Sequence, residues 1–403
     1  MKRSESELDE YIDNELEAVI DLRHRIHRNP EPGYEEFKTA QAVVDFIREV
    51  PGIKITTGIA DTGIVATLGS EKSGKCIAFR ADMDSLAIQE TTGLPYQSAV
   101  DGWMHACGHD GHTALQAGVV RVIGRMQDRL KGPVKFIFQP AEEQKGGGKR
   151  MVEAGVLENP HVDAIYALHG WPEYQVGEVA SRSGAFFAST DSFMIVVKGK
   201  GGHAAFPHLT VDPVVIASSI VSAGQAIVAR TVNPLDSAVI SFCVISGGNA
   251  FNIIPDKVTL KGTIRCFDQQ LRAGLKERLT RLAQSIASAS GGEAEVTIRK
   301  GGYPTLICAK EETDFLFETC RAWMDDNQVL EVPPVLAGED FAYYAQQAPA
   351  CFWLLGVRDP EQETWPMLHT SNYNFNDKAI PLGLRVQCEV ALAFQRRHAA
   401  GQC

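Results

Sequence analysis

Apolar residues recur along this chain in two rhythms, and their alternation lays out the architecture. Near the start, Ile12, Leu16, Val19, Leu22 and Ile26 fall three or four positions apart, an apolar stripe on one face of a helix. Asn29-Pro30 stops it, because proline disfavours helical backbone in the residue before it. A second amphipathic helix is expected over 35–50, after Pro32-Gly33. Runs rich in β-branched and apolar residues then predict strands over 53–57, 63–68 and 76–80. A long helix over 112–130 leads to a buried strand, VKFIF, at 134–138, and to another at 164–168. Strands alternating with helices imply an α/β layer structure around a central mixed, largely parallel sheet.

The rhythm changes in the middle of the chain. A strand (192–198), a helix (212–230), two strands (238–245 and 258–267), a helix (270–289) and a last strand (294–299) give the order βαββαβ. That is the order of a ferredoxin-like module. Ser183-Gly184 and Gly301-Gly302 bracket it as flexible joints. The chain therefore divides into an α/β domain over 1–185 and 302–403 and an inserted domain over 186–301, a sensible size for one core. A helix over 377–398 closes the α/β domain.

Composition narrows the possibilities. With 44% hydrophobic and 22% charged residues, the 403-residue chain reads as globular, long enough for two cores. A net charge of -11 and the lack of basic runs argue against a nucleic-acid partner. The first thirty residues are charged and periodic, and no run approaches the ~18 apolar residues of a membrane span, so a cytoplasmic protein without a membrane partner is expected. The nine cysteines are scattered, odd in number and free of CxxC pairs, which points to reduced thiols.

One segment changes the picture. Met104-His-Ala-Cys-Gly-His-Asp-Gly-His112 packs His105, Cys107, His109, Asp110 and His112 into eight residues. Thiolate and imidazole suit borderline metals such as zinc, and so many donors outweigh a mere polar loop before a helix. On an extended segment Cys107 and His109 would share a face. Glu142 and Glu143 follow the strand VKFIF at its carboxyl end, where open α/β sheets bind ligands. Adjacent glutamates diverge, so one can ligate while its neighbour handles a proton. His169 closes the strand at 164–168, and His369 precedes a turn-rich stretch. Five donors (Cys107, His109, Glu143, His169 and His369) exceed the needs of one catalytic zinc and suit two ions.

Two further patterns lead nowhere. Gly69-Ser-Glu-Lys-Ser-Gly-Lys-Cys76 lacks the Ser/Thr of a phosphate loop and precedes a strand, and Gly199-Lys-Gly201 opens no helix. There is no GxSxG elbow for a serine hydrolase.

Arg80-Ala-Asp-Met-Asp-Ser-Leu86, the segment 104–113, Gln139-Pro-Ala-Glu-Glu143, Gly199-Lys-Gly-Gly-His-Ala204 and Gly338-Glu-Asp-Phe341 stand in that order along the chain. Together they resemble the M20 metallopeptidase superfamily. The nearest likeness is its amidohydrolase branch, comprising hippurate, N-acyl-amino acid and auxin-conjugate hydrolases. The resemblance implies a zinc-peptidase-like catalytic domain and an inserted domain acting as lid and dimerisation module, in a homodimer or higher oligomer. It implies Cys107, His109, Glu143, His169 and His369 as ligands of two divalent ions, zinc or manganese first, cobalt or nickel as alternatives. Glu142 is then the general base. His203, in Lys200-Gly-Gly-His203, stabilises the oxyanion, with Asn252 and Arg265 as candidates for gripping the substrate carboxylate. Where many superfamily members carry a metal-binding histidine two residues before the first-motif aspartate, Asp82 stands here, so Asp84 is expected to support a ligand histidine. The implied reaction is metal-assisted hydrolysis of an N-acyl amino acid, a small-molecule substrate, to a carboxylic acid and a free amino acid. The rival is a dipeptidase or aminopeptidase on the same scaffold.

Overall fold

A computed structural model describes residues 7–299 and 302–399. The chain forms two compact units. One comprises Met1–Gly184, Ile307–Pro333 and Asp340–Cys403; the other comprises Ala185–Leu306 and the short return segment Pro334–Glu339. Of the two expected joints, Gly184 has φ +79°, and Gly301 lies outside the described residues.

The first unit is built on an eight-stranded mixed sheet in the order Lys54–Ile59, Gly63–Leu68, Val134–Gln139, Cys76–Asp82, Val162–Gln175, Ala350–Arg358, Val179–Ser181, Val329–Glu331. The four pairings at its heart and edge that join 134–139, 76–82, 162–175 and 350–358, and 179–181 with 329–331, are parallel. Strands 76–82 and 134–139 are buried along their whole length, as a sheet covered on both faces requires. The helices Glu7–Arg28, His109–Arg125 and Ile380–Ala399 pack together beside the sheet. Leu8, Ile12, Val19, Leu22 and Ile26 supply the buried stripe of the first helix.

Two elements differ from the sequence reading. The strand expected to end at Leu168 runs on to Gln175, because Ala350–Arg358 pairs with it from Ile165 to Gln175. His169 is thus inside a strand, not at its end. The helix expected to begin at His112 begins at His109, because Gly108 adopts φ +85° and turns the chain into it.

The second unit holds a four-stranded antiparallel sheet in the order 238–246, 257–266, 189–198, 293–298, with helices Pro213–Thr231 and Gln269–Ala289 packed on it. This is the ferredoxin-like βαββαβ arrangement. Its core includes Ile195, Val197, Ile220, Leu260, Ile264, Leu275 and Leu279. Pro213–Thr231 is, among the described residues, the one helix long and apolar enough to cross a membrane by length and composition. It packs Ile216, Ala217, Ile220, Gly224 and Ile227 inward and leaves Val214 and Val215 exposed.

Candidate metal centre

Sheet register assembles the centre. Asp82 is level with Gln139 on one neighbouring strand. Arg80 is level with Ala167 on the other, which places Asp82 beside His169 two residues further on. The centre therefore lies at the carboxyl edge of strands 76–82 and 134–139, where ligands bind in open α/β sheets. Strand 162–175 simply continues past that edge.

Cys107 and His109 reach the centre across a turn, not from one face of an extended segment. Gly108 makes the turn with its left-handed backbone, and a Cβ there would stand 3.0 Å from the Tyr373 hydroxyl. Cys107 Sγ lies 3.3 Å from His169 Nε2 and 3.3 Å from His369 Nε2. His369 Nε2 is 3.2 Å and His109 Nε2 3.9 Å from Glu143 Oε1. The donor atoms of Cys107, His109 and His169 lie within 4.8 Å of one another, as do those of Cys107, Glu143 and His369, and those of His109, Glu142 and Glu143. The structure thus brings all five expected donors together with Glu142 in one cluster, buried at Cys107, His109 and His169, half-buried at Glu143 and open to solvent at His369. His369 itself holds a left-handed backbone, φ +62°, pinned by its amide to the Ala106 carbonyl at 2.8 Å. Strain of that kind, on the order of 1–3 kcal/mol, persists only where surrounding structure enforces it.

Main-chain carbonyls choose the histidine tautomers. His109 Nδ1 is 2.9 Å from the Asp84 carbonyl, and His169 Nδ1 2.8 Å from the Gly170 carbonyl. A carbonyl only accepts, so each Nδ1 carries a proton and each Nε2 faces the cluster as a metal-binding nitrogen should. The Asp84 carboxylate also approaches His109 Nδ1, at 3.3 Å. Its firmer contacts are elsewhere, accepting the Glu142 amide at 3.0 Å and the Glu143 amide at 3.1 Å.

Electrostatics mark the cluster as a cation site. Burial opposes a charged His109, but Asp82, Asp84 and Glu143 outweigh it and raise its pKa to about 10. Burial, reinforced by Glu143, Glu142 and Asp82, pushes the Cys107 thiol well above its usual range. Burial raises Glu143, yet His369 and His109 overcome this and hold it below the ordinary carboxylate value. Protons on Cys107 and His109 thus occupy places that a cation would take. His109 Nε2 and Glu143 Oε1 are buried with no hydrogen-bond partner among the described residues, although His369 Nε2 stands 3.2 Å from Glu143 Oε1. Buried polar atoms are normally paired, so the orphan pair fits a missing ligand. A thiol, imidazoles and one carboxylate suit borderline divalent ions, and the residues fit two of them.

Several buried residues support this cluster beyond the five donors, and of these Arg23 and His27 were not singled out in the sequence. His112 does not face the cluster as a ligand. Its Nε2 accepts from the Gly170 amide at 2.8 Å, so Nδ1 donates to Asp82 Oδ1 at 2.7 Å. Asp82 also takes Arg80 at 2.7 Å, and Arg80 reaches Asp340 at 2.9 Å. The Asp340 amide donates to Glu142 Oε1 at 3.4 Å. From the first helix, Arg23 and His27 bond Asp110 at 2.8 and 2.9 Å, which fixes the loop carrying Cys107 and His109. The signal available was two polar residues, four apart, flanking that helix's apolar stripe.

The remaining expected residues lie in the second unit. His203 and Asn252 are neighbours on a two-stranded ribbon, where Gly202–His203 pairs with Ile253–Ile254 and the Ala204 amide donates to the Asn252 carbonyl at 3.1 Å. His203 Nδ1 accepts from the Ala205 amide at 3.1 Å, so its proton sits on Nε2, at the exposed end of the ring. Arg265 donates to the Leu336 carbonyl at 2.9 Å.

Comparison with known proteins agrees with this geometry. Residues 78–393 match the model of peptidase family M20/M25/M40. A thermostable carboxypeptidase 2 of Saccharolobus solfataricus is 36% identical over 94% of this chain and 96% of its own. An N-acetyl-L-cysteine deacetylase of Bacillus subtilis is 40% identical over 84% of this chain and 80% of its own. The crystal structure of Bacillus subtilis YXEP, described as a dinuclear metal-binding peptidase of the M20 family, superposes with a TM-score of 0.81 at 32% identity, covering 95% of this chain and 99% of that one. The chain belongs to peptidase family M20/M25/M40.

Proposed function

We propose that this protein is a metal-dependent amidohydrolase that cleaves N-acyl amino acids to a carboxylic acid and a free amino acid. The observation that carries the reading is the convergence of Cys107, His109, Glu143, His169 and His369 on one cluster with Glu142 beside it. We assign those five as ligands of two divalent ions, with zinc or manganese favoured by the donor set and cobalt or nickel possible. When bound, such ions polarise an amide carbonyl and make water acidic enough to lose a proton near neutral pH.

The chain's own groups supply the rest. Glu142, held by its amide to Asp84 and by its carboxylate to the Asp340 amide, takes the proton from the attacking water and returns it to the leaving amine. Its neighbour Glu143 points to the donors, which is the division of labour that adjacent glutamates allow. His203, with the proton on Nε2, is the proposed oxyanion donor, and Asn252 and Arg265 the proposed grips on the substrate carboxylate. The second unit is proposed as lid and dimerisation module of a homodimer or higher oligomer. Exposed Val214, Val215, Val244 and Ile245 support a buried apolar interface there. Free cysteines throughout the described residues suit a reducing compartment, the cytoplasm.

The relatives favour this reading, since a carboxypeptidase and a deacetylase both split an acyl group from an amino acid nitrogen. Metal-reconstituted enzyme assayed on hippurate, N-acetyl amino acids and free dipeptides tests it. Turnover of the acylated substrates is expected; turnover confined to dipeptides with a free amino group would overturn it.

A further inference from the structure

Glu142 and Glu143 sit at the start of a four-residue helix, Glu142–Lys145, too short to hold its own geometry. The residue before them, Ala141, is buried with φ +55° and ψ +46°, the left-handed conformation that residues with a Cβ avoid. Something outside the segment must enforce that turn. Three successive amides are each held by a carboxylate. Ala141 donates to Glu36 Oε1 at 2.8 Å, Glu142 to Asp84 Oδ1 at 3.0 Å and Glu143 to Asp84 Oδ2 at 3.1 Å.

Glu36 is well anchored for this task. It is wholly buried, stands just before the helix Phe37–Ile47, and accepts the Thr62 hydroxyl on its other oxygen at 2.5 Å. Gly33, three residues earlier, leaves room for the turn, since a Cβ there would strike the Ala141 Cβ at 2.8 Å. The Ala141 carbonyl is closed off in turn by the Gly147 amide at 3.0 Å. We infer that Glu36 is a positioning residue that locks Ala141 in its left-handed turn and thereby sets the directions in which Glu142 and Glu143 diverge, one to the proton and one to the metal. This rests on the roles proposed above for those two glutamates.

The test uses the full-length chain. In E36A the turn loses its hold, so metal affinity, measured by chelator competition, and kcat should each fall about 10–100-fold with KM little changed. E36Q keeps an acceptor for the Ala141 amide and should stay within about threefold of wild type on both readouts. Glycine adopts left-handed backbone freely, so A141G placed in the E36A background should recover part of both losses. Should E36A fail to fold, T62V loosens Glu36 without emptying its place and should shift metal affinity the same way by a few-fold. Wild-type metal affinity in folded E36A or T62V, or an E36Q as impaired as E36A, would overturn the inference. A wild-type enzyme that binds metal yet cleaves no acylated substrate would sink the proposed function and leave the metal-affinity test of Glu36 standing.

Discussion

Replacing Glu36 by glutamine should also change how stability depends on pH, and the structure fixes the sign. Glu36 is sealed from solvent, and burial raises its pKa to about 7 from an ordinary 4.5; the nearby charge of Asp84 adds to this, while Thr62 and the amides of Glu36 and Ala141 pull the other way. The folded state therefore binds a proton more tightly than the unfolded chain does. Such a group contributes stability that is fully present below pH 4.5 and is lost as pH rises through about 7. Moving from 4.5 to 7 at about 1.4 kcal/mol per pH unit gives at most about 3.5 kcal/mol, all of it gone above pH 8. Glutamine mimics the neutral carboxyl and does not titrate. The Tm of E36Q minus that of wild type should thus climb between pH 5 and 8, by about 6 °C at roughly 2 °C per kcal/mol for a unit of this size. Scanning calorimetry of both proteins across that range reads it directly. A difference that is flat, or that narrows with rising pH, would refute the buried, proton-binding Glu36 described here.

Other outcomes follow from the centre itself. Glu142→Gln should abolish turnover and keep wild-type metal content, because Glu143 supplies the ligating carboxylate; normal turnover would remove Glu142 from the mechanism. Cys107→Ser should lose metal and activity together, whereas Cys76→Ser and Cys388→Ser, buried away from the donors, should lose only stability. Full metal occupancy in Cys107→Ser would end its role as ligand. His203→Ala should lower kcat by ~10²–10³ with metal content intact, the usual effect of deleting an oxyanion donor. Mixed with Glu142→Gln subunits it should regain partial activity if His203 serves a partner's site. A mixture as inactive as its parents, after proven subunit exchange, would place His203 in its own chain's site or in none.

The legible parts of the molecule are those that local pattern determines. The βαββαβ order was readable because each strand and helix of the second unit carries its own periodicity. The strand Ala350–Arg358 was not: ACFWLLGV is buried almost throughout, and an unbroken apolar run has no period to tell a strand from a core helix. Its partner suffered with it. Gly170 and Pro172 look like terminators in sequence, yet strand 162–175 continues because 350–358 pairs along it. The donors of 104–112 stood out by density alone. His169 and His369 did so only jointly with them, as lone histidines carry little signal. What stayed illegible is long-range, such as Glu36 on Ala141, Arg23 and His27 on Asp110, and His112 on Asp82.

Those long-range contacts explain why the first-motif aspartates behave differently from the ligand histidine that one of them replaces. Asp82 is saturated by cations and donors: burial disfavours its charge, but His109, Arg80 and His112 overwhelm that and hold it well below the usual carboxylate range. Its Oδ2 stops 3.7 Å short of His109 Nε2. An anion so fully engaged orients the sheet edge and has little left to offer a metal. Asp84 works at one remove too. The hydrogen bond that fixes His109 runs to its carbonyl, which any residue at that position would provide, while its carboxylate is spent on the amides of Glu142 and Glu143. The side chain at 84 therefore serves the glutamates with both oxygens and the histidine by a longer approach of 3.3 Å. The backbone chooses the imidazole tautomers, the buried carboxylates aim the two glutamates, and the register of three neighbouring strands brings both sets to one edge of the sheet.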